Sequence, residues 1–258
     1  MMMKRLIKKL DLIFRFSLSD FKSKYAGSVF GVLWAVAEPL VTILIYIFVY
    51  KVALGGNDVD GVPYYIWLSV GIAAWFFLYD GLRSVCASYR DYSRLIKKVK
   101  FDKKLLTYIR CNSSLLSHLI FLLLIIIVAA FGGVIYLNFL FVLFCIFFGY
   151  LFVAFLGKIF SIVCGYFKDM QNIVNVLLNI LFWLTPIFWN ENLIPKRYFA
   201  VVYYNPFSII IDGYRYAILN VGNFDIYRWI YFIAVLAVLF VISKIFEKRL
   251  LPNISDKL

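Results

Sequence analysis

Long apolar stretches alternate with short basic or polar segments along the whole of this 258-residue chain. A helix that crosses a bilayer needs about 20 mostly apolar residues. By that measure the pattern predicts six spans, at residues 33–54, 64–88, 113–136, 139–164, 172–189 and 227–246. The third and fourth are separated only by a turn near Leu137 and Asn138, which predicts a helical hairpin. We therefore expect an all-α polytopic membrane protein, in which residues 1–258 form one transmembrane domain and spans one to five lie within 33–188.

Two further segments are apolar but fit neither a span nor a solvated loop. Residues 1–24 place apolar side chains on one face of a helix and most of their Lys and Arg side chains elsewhere, which predicts an interfacial helix on the inner leaflet. Residues 190–226 are apolar in pieces too short to cross, and these pieces are interrupted by Pro195, Pro206 and Gly213. They suit short re-entrant helices on the outer side, buried against the spans.

Positive charge is distributed unevenly between the two sides of the predicted membrane. The chain has 27 Lys and Arg against 14 Asp and Glu, a formal net charge of +13, and 64% hydrophobic residues. The predicted loops place 20 Lys and Arg on one side and five on the other, so the positive-inside rule puts both termini in the cytoplasm. A nucleic-acid-binding protein is excluded despite the charge, because such proteins are not built from long Leu, Ile and Phe runs.

The sequence lacks the residue patterns of several kinds of catalysis. It has no P-loop pattern GxxxxGK(S/T), and its four cysteines show no CxxC spacing. Its one histidine, His118, lies in an apolar run, where packing is the simplest role. Only Glu38, Asp80 and Asp169 bring acidic groups near the spans, and Asp80 has Arg83 one turn away as a local ion-pair partner. We expect no metal and no resident cofactor in this chain, and a pump of this kind would take its energy from another polypeptide.

The basic loop between the second and third predicted spans is long enough for a short helix lying across the cytoplasmic face. Residues 88–100 read SYRDYSRLIKKVK. A motor subunit could grip such a coupling helix, and the candidate contacts are Arg90, Asp91, Tyr92, Arg94 and Lys97. The alternative is a loop whose basic residues only set the topology.

Aromatic residues are abundant, with 27 Phe, 19 Tyr and 6 Trp. Aromatic rings stack on the apolar faces of sugars, and tyrosine hydroxyls can bond the sugar hydroxyls. A conduit for a sugar polymer needs many weak, similar contacts. The candidate lining residues are Tyr46, Tyr50, Trp183, Phe188, Trp189, Tyr203 and Tyr204. The alternative is an aromatic belt at the membrane interface.

Two motifs give the chain a family resemblance. The segment KYAGSVFGVLWAVAEPL, residues 24–40, resembles the start of the first span in the permease subunits of ABC transporters that export polysaccharides. It supplies the pairs Lys24-Tyr25, Gly27-Ser28, Leu33-Trp34 and Glu38-Pro39, together with Gly31. WLTPIFWNENLIPKRY and NPFSIIIDGYRYAIL look like the second signature of that family, with Trp183, Thr185-Pro186, Asn205-Pro206 and Arg215 in the matching places.

The resemblance implies a homodimer of this subunit that works with two copies of a separate ATP-binding subunit, on which ATP and magnesium would be held. It also implies an undecaprenyl-diphosphate-linked glycan as substrate, moved to the periplasm across a bacterial inner membrane. O-antigen and teichoic acid exporters share the Gly-Ser pair, and Glu-Pro also occurs among capsule exporters. We expect O-antigen export.

The same segment suggests where the lipid pyrophosphate headgroup is received. Basic side chains would supply charge, and two glycines would allow close approach. The candidate residues are Lys22, Lys24, Tyr25, Gly27, Gly31, Trp34 and Glu38. Pro39 would kink or unwind the start of the first span, and Glu38 would face protein or a water-filled path. The alternative is that Glu-Pro only marks the start of an interfacial helix.

Three other functions remain open at the level of sequence. One is a drug or small-lipid exporter of the same architecture, against which the aromatic-rich outer segment argues mildly. Another is a membrane enzyme that acts on lipid-linked sugars, which would need a carboxylate pair or an Asp-rich motif. The third is a secondary flippase, which usually has more spans and internal repeats.

Overall fold

A computed structural model describes residues 2–53, 58–98, 102–190 and 194–258. Ten α-helices follow one another through these residues: α1 (Met2–Ser23), α2 (Trp34–Ile47), α3 (Tyr64–Asp91), α4 (Ser93–Lys98), α5 (Lys104–Phe131), α6 (Phe139–Tyr166), α7 (Met170–Leu184), α8 (Phe199–Tyr203), α9 (Pro206–Leu219) and α10 (Ile226–Arg249). Within the described ranges, extended pairing is limited to one isolated bridge between Val59 and Val62. The predicted all-α class is confirmed.

Five helical segments are long and apolar enough to cross a membrane: Gly31–Tyr50, Tyr64–Lys97, Lys104–Phe131, Phe139–Tyr166 and Ile226–Arg249. They correspond to predicted spans one to four and six, so the protein is a polytopic membrane protein. The fifth predicted span, 172–189, coincides with α7, which has only 15 residues. Residue 54 at the end of the first predicted span and residues 191–193 of the outer segment lie outside the described residues.

The first span begins and ends in irregular helix, but it is continuous at its proline. A 3₁₀ turn over Gly31–Leu33 leads into α2, and a π-helical turn over Phe48–Ala53 follows it. Pro39 lies inside α2, so the helix is not unwound at this residue, whereas the alternative of a kink stays a prediction. The missing proline N–H removes one hydrogen bond near the start of the helix, and membrane helices tolerate such a loss.

The predicted hairpin between the third and fourth spans is confirmed. Leu137 adopts a positive φ of 44°, and the Asn138 side chain caps α6 by accepting a hydrogen bond from the Phe141 N–H at 3.1 Å. The backbone N–H groups of Tyr136 and Asn138 donate to the Ile218 and Ala217 carbonyls at the end of α9. The turn is therefore fixed to α9 as well as to its own hairpin.

Helix α3 is the centre of the packed core. It packs against α5, α6 and α9, and Ile66, Leu68 and Leu78 are fully buried. Helix α9 is buried along most of its length, which agrees with a segment packed against the spans. Its re-entrant position in a bilayer stays a prediction.

A second, smaller core lies at the end of the molecule predicted to be cytoplasmic. It joins Tyr89 of α3, Ile96 of α4 and Ile162 of α6 to Leu251 and Ile254 of the C-terminal segment. The amphipathic helix α1 packs against α5 and contributes to this end of the molecule. The fold thus has one core inside the helical bundle and a second core against which α4 packs.

Candidate functional site

A cavity of about 460 Å³ lies between the first three spanning segments. Each of α2, α3 and α5 lines it with four residues at the spacing i, i+3, i+4 and i+7, which is one face of a helix. These are Ala35, Glu38, Pro39 and Thr42 on α2, Ala73, Phe76, Phe77 and Asp80 on α3, and Ser114, Ser117, His118 and Phe121 on α5. Lys24, Tyr25 and Tyr79 complete the wall.

Three of the residues predicted to receive the headgroup therefore meet at one site. Lys24 and Tyr25 come from the segment after α1, and Glu38 comes from α2. The Lys24 Nζ donates to Asp80 Oδ2 at 2.9 Å, so the expected Asp80–Arg83 pair is replaced by an ion pair between two segments 56 residues apart. Burial, and then the Glu38 carboxylate, raise the pKa of the Tyr25 hydroxyl above its ordinary value, which keeps the hydroxyl protonated.

The other predicted headgroup residues lie outside the cavity wall. Lys22 and Trp34 are exposed, and the Trp34 ring packs edge-on against Phe30 with the ring centroids 5.8 Å apart. Gly27 and Gly31 have φ values of +86° and +53°, and a Cβ at either position would meet nothing within 4 Å. Within the described residues, both glycines adopt a left-handed backbone conformation that favours glycine, and the predicted close approach of the headgroup stays a prediction.

The candidate glycan-path aromatics divide into two groups. Tyr46, Tyr50 and Phe188 lie together, with centroids 6.5 Å apart for Tyr46–Tyr50 and 6.3 Å for Tyr46–Phe188, and Trp183 stacks on Phe188 at 6.0 Å. The Trp189 ring N–H donates to the Trp183 carbonyl at 3.2 Å, which holds Trp189 beside this group.

Tyr203 and Tyr204 form the second group, with their rings 4.9 Å apart. The Tyr203 hydroxyl donates to Asp225, the residue that caps α10. That hydrogen bond raises the pKa of Tyr203 and lowers the pKa of the Asp225 carboxyl. Tyr203 thus fastens α8 to α10, and its place along a glycan path stays a prediction.

The two halves of the second family signature contact each other directly. The Asn205 Nδ2 donates to the Thr185 hydroxyl at 3.0 Å, while Asn205 Oδ1 caps α9 through the Phe207 N–H. The buried Arg215 guanidinium donates to the Pro186 carbonyl at 2.8 Å and to the Ile187 carbonyl at 2.9 Å. These bonds hold the three residues that follow the C-terminal end of α7 against α9.

The same arginine also reaches α3. Its Cζ lies 3.5 Å from the centroid of the Trp67 ring, and a Cβ on Gly71 would lie only 2.6 Å from its Nη2. The cation–π contact and the space left by glycine seat the guanidinium between three helices.

The predicted short helix on the basic loop is present as α4, and its contact with an ATPase stays a prediction. Arg90 donates to the Cys164 carbonyl at 2.6 Å, Asp91 pairs with Arg110 at 2.7 Å, and the Tyr92 hydroxyl donates to Asp20 of α1. Only Arg94 and Lys97 of the five are exposed in the described structure without taking part in this network. Arg90 and Asp91 at the end of α3, and Tyr92 directly before α4, fix the junction of the two helices to the bundle, whereas Arg94 and Lys97 of α4 are exposed.

Sequence reasoning missed one buried charge cluster. Lys158 of α6 is 1% exposed, and its Nζ donates to Glu247 Oε2 at 3.0 Å and to the Tyr108 hydroxyl at 3.1 Å. Lys104 binds the other Glu247 oxygen at 3.0 Å. A lysine inside an apolar span was the available signal, because a charge at that depth needs a partner. His118, by contrast, packs as expected, with its Nε2 2.8 Å from the Tyr214 hydroxyl.

Comparison with known proteins agrees with this architecture. A family model described as ABC-2 type transporter matches residues 13–219. A Klebsiella pneumoniae O-antigen export system permease protein, RfbA, is 27% identical over 231 residues, covering 81% of each chain. Another RfbA from the same organism is 26% identical over 248 residues, covering 88% of this chain and 87% of its own. A Myxococcus xanthus protein of that name is 23% identical over 173 residues, covering 66% of this chain and 65% of its own.

The family match takes in α2 to α9 and the second half of α1, and so includes both motifs and the whole cavity. This agrees with the resemblance to polysaccharide exporter permeases. The chain belongs to the ABC-2 type transporter family, as a multi-pass membrane subunit of an ABC transporter.

Proposed function

We propose that this chain is the transmembrane subunit of an ATP-driven exporter that moves an undecaprenyl-linked glycan to the periplasm, and that this glycan is O-antigen. The observation that carries the proposal is the similarity to O-antigen export permeases over 81–88% of the chain. The aromatic groups beside α2 and α7, together with a helical coupling segment, support it. Two copies of the chain and two copies of a separate ATPase, which holds ATP and magnesium, would form the transporter.

The proposed topology has six crossings in the bacterial inner membrane, with both termini in the cytoplasm. Helix α7 would be the fifth. Its 15 residues reach about 22 Å at 1.5 Å per residue, short of the hydrocarbon core of about 30 Å. The break at Thr185, fixed by Asn205 and Arg215, and the short helices α8 and α9 would complete this crossing on the outer side.

The proposed contact with the ATPase is α4. Arg94 and Lys97 point outward from a helix whose other side is anchored through Ile96 to the cytoplasmic core. Exchanging both cations for glutamate should weaken ATPase capture, whereas the same exchange at exposed Lys196 and Arg197 on the opposite side should leave capture unchanged. Equal capture by all three proteins would contradict this role for α4.

The proposed position of the lipid pyrophosphate is the exposed surface around Lys22, at the mouth of the cavity near Lys24. Lys24 would contribute fully only after leaving Asp80. Exchanging Lys22 and Lys24 for glutamine should impair export while the complex with the ATPase still assembles. The matched control is glutamine at exposed Lys196 and Arg197. Unchanged export in the Lys22 and Lys24 variant would contradict the headgroup role.

Co-purification from the native membrane, followed by an ATPase assay with and without lipid-linked glycan, tests the whole proposal. We expect a stable complex with a P-loop ATPase whose hydrolysis rises when the glycolipid is added. A chain that purifies without an ATPase, or a complex that ignores the glycolipid, would contradict it.

A further inference from the structure

The cavity between α2, α3 and α5 has the size and shape of a ligand site. Its volume of about 460 Å³ lies within the range of about 300–1,000 Å³ that is usual for small-molecule sites. Each helix lines it over an eight-residue stretch, whose seven steps correspond to a depth of about 10 Å at 1.5 Å per residue. Lys24 stands at one end of the wall, and His118 and Phe121 lie farther along α5.

The charges on the wall are unsuited to an anion. Among the described residues that line the cavity, Glu38 and Asp80 carry carboxylates and Lys24 is the only Lys or Arg. The Lys24 ammonium is already paired with Asp80 at 2.9 Å. A pyrophosphate inside the cavity would have to break that pair and would still face Glu38, and like charges at close range repel.

The remaining lining groups match a neutral ring that carries hydroxyls. Thr42, Ser114, Ser117, Tyr25 and Tyr79 offer hydroxyls, and the two carboxylates are strong acceptors for a ligand O–H. Phe76 and Phe121 lie 5.6 Å apart on opposite helices and present apolar ring surface. Carboxylate acceptors, hydroxyls and aromatic faces together are what a sugar ring needs for hydrogen bonding and stacking.

We propose that this cavity, inside a single subunit, binds the sugar unit next to the carrier diphosphate and excludes the diphosphate itself. The proposal rests on the proposed function, and it separates two parts of one substrate. The anionic carrier stays at the mouth beside Lys22, and the first neutral sugar enters between Glu38, Asp80 and the aromatic rings.

The test uses the complex of this chain with its ATPase, reconstituted in lipid nanodiscs. Two ligands are titrated, undecaprenyl diphosphate bearing the first sugar and undecaprenyl diphosphate alone, and the concentration for half-maximal ATPase stimulation is measured for each. Thr42→Phe places a ring inside the cavity, and Leu123→Phe adds the same ring on α5 at a residue that is 59% exposed and lies outside the wall.

We expect Thr42→Phe to raise the half-maximal concentration of the sugar-bearing ligand by about tenfold or more, equivalent to about 1.4 kcal/mol. The value for the bare carrier should stay within about twofold, and Leu123→Phe should change neither. An equal loss for both ligands, or no loss for either, would overturn the proposal.

A second variant tests the charge argument without changing the shape of the cavity. Glu38→Gln keeps a hydrogen-bond acceptor but removes the negative charge. For a sugar site, the preference for the sugar-bearing ligand should persist. If the bare carrier binds the Glu38→Gln protein at least as well as the sugar-bearing ligand does, the cavity is an anion site and the proposal is overturned.

Stimulation of the wild-type complex by a lipophilic cation in place of either carrier would overturn it too. If the wild-type complex responds to neither carrier ligand, the proposed function fails as well. That result differs from one in which the wild-type complex responds but Thr42→Phe affects both ligands equally, which overturns only the sugar site.

Discussion

Helices α2 and α3 are both apolar, yet the protein buries them to very different extents. In an apolar 18-residue stretch of the α3 segment, 78% of the residues are buried within the protein, whereas the corresponding value for the α2 segment is 17%. Of the two, the α2 stretch is the more apolar. In a bilayer the outer surface of a protein is as apolar as its core, so hydropathy locates a span but does not say what the span packs against.

The difference separates a unit packed around α3 from helices that this unit covers less, which are α10 as well as α2 and α7. Helices α3, α5, α6 and α9 form the unit around Leu78, while α2 and α7 leave Leu44, Ile45, Ile173 and Val176 exposed. In water such apolar surface would aggregate, but here lipid or a second copy of the chain can cover it. The proposed homodimer would be built from surfaces of the second kind.

Removing Arg215 should have the largest effect on this arrangement, because it holds α7 to the packed unit. In Arg215→Met, the Pro186 and Ile187 carbonyls lose their donors, at a cost of about 1–3 kcal/mol for each buried group. We expect a large fall in the midpoint of thermal unfolding in detergent, followed by tryptophan fluorescence.

The matched control for Arg215 is Arg197→Met, since Arg197 is exposed and its contact is a cation–π interaction with the Tyr198 ring at 4.6 Å. That variant should unfold close to the wild-type midpoint, because exposed interactions of this kind contribute about 0.5–1 kcal/mol. Equal midpoints for both variants would show that the α7 end is not held through Arg215.

The next prediction compares the effect of the same substitution, leucine to alanine, in α3 and in α2. Leu78 on α3 is fully buried, and Leu44 on α2 is 55% exposed. Leu78→Ala leaves a cavity and should cost about 2–5 kcal/mol. Leu44→Ala should change stability by about 0.5 kcal/mol or less in detergent micelles, because detergent fills the space in the folded and unfolded states alike.

Chemical denaturation of the purified protein in micelles would measure both changes. If Leu44→Ala were as costly as Leu78→Ala, the exposed face of α2 would be covered by protein under those conditions. Repeating the measurement at high dilution would then separate a second copy from an intramolecular contact, because only the former depends on concentration.

The sequence was sufficient for features that depend on local signals. Long apolar runs located five membrane-crossing helices, the turn at Asn138 located the hairpin, and the basic loop located α4. Each of these signals acts over one helix length or less, through hydrophobicity, capping and turn chemistry. The fifth predicted span is not matched by a helix long enough to cross the membrane, because α7 stops at Leu184, before the Thr185-Pro186 pair.

Pairings between distant residues could not be found in the same way. Lys24 and Asp80 are 56 residues apart, and Lys158 and Glu247 are 89 residues apart. Arg83 was the expected partner of Asp80 because it is close along the chain, but the path after α1 brings the Lys24 ammonium nearer. The motif containing Arg215 was recognisable, although its spacing gives no indication that the guanidinium binds two carbonyls after α7.

The smallest effect concerns Asn205, which has two functions that substitutions can separate. Its Oδ1 caps α9 through the Phe207 N–H, and its Nδ2 binds the Thr185 hydroxyl. Asn205→Ala loses both, with the cap contributing about 0.5–2 kcal/mol. Thr185→Val keeps the cap and loses only the bond to α7, worth about 0.5–1.5 kcal/mol.

If that bond holds the less covered α7 to the packed unit, Thr185→Val should increase proteolysis after α7 more than it lowers the global unfolding midpoint. Asn205→Ala should do both. A Thr185→Val protein that resists protease as the wild type does would show that Arg215 alone secures this end of α7, and the boundary between the two units would then lie at the arginine and not at the asparagine.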